Sequence, residues 1–155
     1  MKKGYILLFL MLVLLMGCDN HKEEVKNDYL SMKSDLLKVT DFSSLEDINC
    51  DVSVFIDRID DERVSYEMIV ENPREDMNNV RALLIHNYYT EQLFPSVGIF
   101  EDAVSLKTNS DDKITLKGEI ETDNDIENLN LVLKLYVKYI DNNGNEKDIY
   151  YKATK

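Results

Sequence analysis

An all-β, antiparallel β-sandwich of about seven strands over residues 50–155 is the fold class this sequence predicts, on three observations. From Cys50 onward apolar residues recur at every second position, turn-forming residues interrupt them every ten or so, and the chain before Cys50 shows no such alternation. Period two is the signature of a strand with one face in a core and one in water.

The elements follow in order. Val52, Val54 and Ile56 alternate with Ser53, Phe55 and Asp57; Asp60-Asp61-Glu62 turns the chain; Val64, Tyr66, Met68 and Val70 alternate with Ser65, Glu67 and Glu71. This is a hairpin. Asn72-Pro73 ends its second strand, because proline has no amide hydrogen for a ladder and pushes Asn72 out of the helical region. A third strand is expected over about Val80 to Tyr88, with Leu83, Leu84 and Ile85 apolar on both faces as in a central strand. A short fourth is expected near Ile99 to Lys107.

On the fifth strand Ile114, Leu116, Gly118 and Ile120 face inward, opposite Thr115, Lys117, Glu119 and Glu121. On the sixth Leu131, Leu133, Leu135, Val137 and Tyr139 do so, against Lys134, Tyr136 and Lys138. The Asn-Gly of Asp141-Asn142-Asn143-Gly144-Asn145 tolerates the positive φ of a tight turn into the last strand, about Glu146 to Lys152. Seven short strands so spaced predict immunoglobulin-like topology, although the Cys…Trp…Cys core of antibody domains is absent.

Residues 1–17 are expected to be a cleaved lipoprotein signal peptide. Lys2 and Lys3 make a positive head, Tyr5 to Met16 an apolar run, and Gly17 a small residue at the boundary. Twelve apolar residues are too few to span a bilayer as a helix, which takes about 20. Leu15-Met16-Gly17-Cys18 resembles the lipobox of bacterial lipoproteins, although Met16 is bulkier than the residue usual at its place. The resemblance covers about 20 residues and implies a diacylglycerol thioether on Cys18, cleavage before it, and further acyl chains of the palmitate type. Cys18 is then the lipid attachment site, and the protein is held at the cell membrane on its extracytoplasmic face. Composition rich in Lys, Asn, Asp, Glu and Ile without Trp points to a Gram-positive source. The pattern around VENPREDMNNVRALLIHN is also similar to immunoglobulin-like or fibronectin-like domains appended to such lipoproteins.

Residues 18–49 are expected to be a lipid-anchored tether. Val25, Tyr29, Met32 and Leu36 fall at helical spacing, so an amphipathic helix over about 23–38 is one reading and a flexible stalk the other. As a helix, its apolar stripe is a docking face for the domain; fully extended, the tether reaches roughly 100 Å.

Charge narrows the partners. The chain has 18 basic and 30 acidic residues, and residues 1–17 hold two of the lysines and no acid, so a chain cut before Cys18 carries a net −14. Such a field argues against nucleic acid and anionic lipid alike, and for a well-solvated surface held off the bilayer by its tether. With Cys18 lipidated, Cys50 is the one remaining thiol and reads as a small apolar filler at the head of the first strand. His86 is the only histidine of the domain, which leaves nothing in the spacing to suggest a Cys–His nucleophile.

No catalytic, cofactor-binding or metal residues are expected. The acids of Asp60-Asp61-Glu62, Asp111-Asp112 and Asp123-Asn124-Asp125 sit in expected turns. In DNNGNEKD, Asp141, Asn143 and Asn145 resemble the first positions of a calcium loop, but Gly144 falls at position four and Asp148 lies too near to close it. The stretch TEQLFPSVGIFED is apolar without alternation, so it either caps the open end of the sandwich or offers a partner surface through Tyr88, Tyr89, Phe94 and Phe100.

These readings point to a monomeric, non-enzymatic binding or accessory module at the cell envelope, with an unidentified envelope protein as partner. The alternatives are a small envelope enzyme or calcium-dependent module using acidic loops, and an immunity-like inhibitor of an exported protein.

Overall fold

The computed structural model describes residues 22–155; the expected signal peptide and Cys18 lie outside the described residues. A helix, α1 (residues 22–38), is followed by eight strands: β1 (Asp51–Arg58), β2 (Arg63–Glu71), β3 (Met77–His86), β4 (Ser96–Val97), β5 (Val104–Leu106), β6 (Lys113–Glu121), β7 (Val132–Ile140) and β8 (Glu146–Thr154). Of the expected fourth strand near Ile99 to Lys107 only β5 is strand, and β4 precedes that range. All strand pairings are antiparallel, in one sheet ordered β1-β2-β6 and another ordered β4-β3-β7-β8, with β5 also on β3.

The core lies between the sheets. Val64, Tyr66, Met68 and Val70 of β2 and Ile114, Leu116 and Ile120 of β6 pack with Val80, Ala82 and Leu84 of β3 and Leu133, Leu135, Val137 and Tyr139 of β7. These are the inward positions that period two assigns. Val52, Val54 and Ile56 of the edge strand β1 are only half-buried.

The larger sheet is covered on its other face as well. Leu83, Ile85 and Tyr136 point away from the partner sheet and form a second buried cluster with Ile99 and with Tyr29, Met32 and Leu36 of α1. Burying side chains of this size stabilises by about 1.5–3 kcal/mol each, which is what holds a short helix that would be marginal alone. Of the two readings of residues 23–38, the helix is the one observed, and its stripe is the docking face. Tyr136, outward by alternation, is 4 % exposed because α1 lies over it; its ring stacks on Tyr150 at 4.5 Å and its hydroxyl is 3.0 Å from Asp148 Oδ1.

After α1 the chain crosses the free edge of β8. The Ser43 N–H donates to the Tyr150 carbonyl (2.8 Å), and the Lys134 and Lys152 ammonium groups each lie 5.4 Å from the centre of the Phe42 ring. Pairing of this kind partly shields an edge that would otherwise offer its backbone to other chains. At the β7–β8 turn Gly144 takes φ 82°, as its Asn-Gly pair anticipates. Asn72 leaves the right-handed helical region as Pro73 requires but enters the left-handed one (φ 49°), with its amide donating to Asp51 Oδ2 at 3.1 Å.

Candidate functional site

Leaving β3, the chain runs through His86, Asn87, Tyr88 and Tyr89 and returns through Phe94-Pro95 to β4. Two hydrogen bonds fix the return: the Leu84 N–H donates to the Pro95 carbonyl (3.0 Å), and the Phe94 N–H to Tyr29 Oη on α1 (2.9 Å). Pro95 keeps Phe94 extended, so its ring can reach His86. The imidazole meets Tyr66 at 5.2 Å and Phe94 at 5.0 Å, both edge to face, and Tyr29 packs on Phe100 at 5.3 Å. Each such pair contributes about 0.5–1.5 kcal/mol beyond its buried area. The Lys33 ammonium sits 4.8 Å over the Phe94 ring. A line of aromatic contacts therefore joins the inter-sheet core to α1.

The four expected surface residues divide. Tyr88 is half-buried against the inter-sheet core, and Phe94 half-buried against α1 and its cluster. Tyr89 is 87 % exposed and Phe100 50 % exposed, with Leu93 between them in sequence at 67 %. The loop does both things its composition allows: it caps, and it presents aromatic side chains to solvent.

The titratable groups are held in structural roles. Burial lowers the His86 pKa from its ordinary 6.5, and its Nδ1 accepts the Tyr88 N–H at 3.2 Å. Burial pushes the Cys50 thiol up to about 11, helped by the negative charge of Asp51. Cys50 lies by Arg74 and Tyr139, at the end of the sandwich where β3 begins. His86 ends that ten-residue strand, about 30 Å long, so the two are not brought together.

Three acids are tied to the backbone or side chains around them. Asp60 holds Arg63 (Oδ2 to Nη2 2.7 Å) and accepts the Glu62 N–H. Asp76 accepts from the Thr108 N–H and hydroxyl, both at 2.9 Å. Asp141, buried at the β7–β8 turn, accepts the Asn143 and Asn145 N–H groups at Oδ1, each at 2.8 Å, and the Asn145 side-chain amide. Amide donors thus occupy the oxygens that the calcium reading would need. Among the described residues no three His, Cys, Asp or Glu gather in a metal-holding arrangement.

Two of the surface clefts border α1 and the edge strands. One, of about 320 Å³, opens between the edge strands β1 and β8 over Val54, Ile56, Leu133 and Tyr151. The other, of about 540 Å³, lies between α1 and residues 98–103, where Glu24, Glu101 and Asp102 surround the Arg81–Asp28 ion pair (2.9 Å). Neither was evident in the sequence, because each joins elements whose mutual placement depends on where α1 and β1 dock. Comparison of the chain with family models, curated proteins and solved structures finds no match.

Proposed function

We propose that the chain is a lipid-anchored, extracytoplasmic, non-enzymatic binding module, held at the cell envelope through Cys18 and presenting the 88–100 loop to a protein partner. The observation that carries the binding role is the exposure of Tyr89 and Phe100 on a loop pinned by Phe94, His86 and Tyr29. Aromatic side chains displayed on a rigid support lose little entropy on binding and are the usual anchors of interfaces. The anchor follows from the Leu15–Cys18 resemblance.

The finer description of the fold as immunoglobulin-like is part of the same proposal. Taking β1, β2, β3, β6, β7 and β8 as strands A, B, C, E, F and G, with no long strand in the place of D, gives sheets A-B-E and C-F-G, with β4 and β5 beside C. That A-B-E and C-F-G division supports the reading.

The test is a pull-down from native membranes with wild type, Tyr89→Ala and Phe100→Ala. Loss of an anchor costs 2 kcal/mol or more, roughly thirtyfold in affinity. Tyr89→Ala should keep the wild-type melting temperature and Phe100→Ala lower it only by its lost contact with Tyr29, while a specific envelope protein is lost from both. Retention of the same partners by both would remove the loop from the interface.

A further inference from the structure

We propose that one flank of α1, carrying Lys22, Lys26, Leu30, Lys33 and Leu37, lies on the surface of an anionic lipid bilayer and sets the domain's orientation there. This rests on the reading of Cys18 as the lipid acceptor.

At about 100° per residue these five positions fall within an arc of roughly 80°. Their spacings of four, four, three and four make a continuous stripe along the helix, distinct from the buried stripe of Tyr29, Met32 and Leu36. Leu30 is 48 % and Leu37 57 % exposed, and Lys22 and Lys26 are exposed. Lys33 is half-buried with its ammonium over the Phe94 ring, so the exposed charge of the stripe is that of Lys22 and Lys26. The opposite flank carries Glu24, Asp28 and Asp35 and borders the acidic cleft with Glu101 and Asp102. Glu23 sits between the stripe and the solvent crest of the helix. A helix with lysines beside exposed leucines is the pattern of an element lying in a lipid headgroup layer.

Two further observations select lipid as the occupant. A chain of net −14 is repelled by anionic headgroups as a whole, so it can approach only with a locally basic face leading. The stripe is such a face, each lysine near an anionic surface contributing about 1 kcal/mol, or roughly fivefold. Tether length gives the second. Because α1 starts at residue 22 and docks on the sheet from Tyr29, only three residues separate the helix from Cys18, a reach of at most about 14 Å to its first residue instead of the roughly 100 Å of a free 31-residue tether. The first residue of α1 is therefore held within about 14 Å of the anchor, and the stripe begins there.

The experiment places an environment-sensitive fluorophore at Leu30→Cys, Leu37→Cys and, as control, Phe55→Cys on the exposed face of β1, in the full lipoprotein purified from membranes. Intact mass reports whether Cys18 carries lipid. The proteins are reconstituted into phosphatidylglycerol-containing or pure phosphatidylcholine vesicles with a quencher in the lipid. Quenching at 30 and 37 but not 55, stronger with phosphatidylglycerol and reduced severalfold by Lys22→Glu with Lys26→Glu, is expected. A lipidated protein whose labels at 30 and 37 are quenched no more than at 55, or are shielded from water by bound protein instead of lipid, overturns the orientation and leaves the anchor standing. A protein without lipid on Cys18 overturns both.

Discussion

Tyr66 on β2 lies directly across Gly118 on β6, and its ring fills the space a side chain there would need. The two are paired in the ladder, and a Cβ built on Gly118 would stand 2.5 Å from Tyr66 Cζ and 3.1 Å from Pro95 Cγ. The glycine thus lets an aromatic residue of one strand fold over its neighbour and reach His86 beneath the 88–100 loop.

Gly118→Ala should therefore destabilise the domain by about 1–3 kcal/mol, the usual cost of overpacking a core. Chemical denaturation checks this, with Tyr66→Ala and the double variant alongside. The double variant should lose less than the sum of the singles, because removing the ring removes the clash; strict additivity would mean that the two residues do not meet.

The docked helix makes a second expectation. Leu36→Ala removes a fully buried side chain and should cost about 2–5 kcal/mol, while Leu37→Ala next to it should cost little. Residues 50–155 made without α1 should melt lower than residues 22–155 and tend to self-associate, since Leu83, Ile85 and Tyr136 would then face water. Calorimetry and light scattering of the two pieces read both effects.

Acid should unfold the protein through its turns. Hydrogen bonds hold the carboxyls of Asp60, Asp76 and Asp141 below their ordinary value of 3.8, chiefly from Arg63, the Thr108 N–H and the Asn145 N–H respectively. A group whose folded pKa is lowered contributes stability that is present above its unfolded value and is lost as pH falls through its folded one. The melting temperature should be level near neutrality and drop once pH passes below about 4. Asp141→Asn should lower it at pH 7 and make the acid slope shallower. An equal slope in the variant would show that Asp141 takes no part.

The sandwich is legible in the sequence where one face is wet. Val64 to Val70 and Leu131 to Tyr139 alternate because water and core select opposite residues at successive positions, and the structure buries the expected set. Tyr136 shows where this stops. Alternation puts it outside, correctly, but only the position of α1 decides that outside is dry. The run Leu83-Leu84-Ile85 was the local sign of that second cover.

The 88–100 loop was legible as apolar, but not how it divides. Whether Phe94 packs and Phe100 projects depends on Tyr29, more than sixty residues earlier, and a long-range contact has no local period. The basic stripe of α1 was readable from its spacing, but the stronger buried stripe obscures it until the helix is docked.

The proposed lipid on Cys18 can be tested most directly. Protein extracted in detergent from native membranes and weighed intact should have the mass of a chain beginning at Cys18 plus a thioether-linked diacylglycerol, and Cys18→Ser should abolish that species. A native protein whose Cys18 is an unmodified thiol, in a chain recovered without detergent, would contradict it.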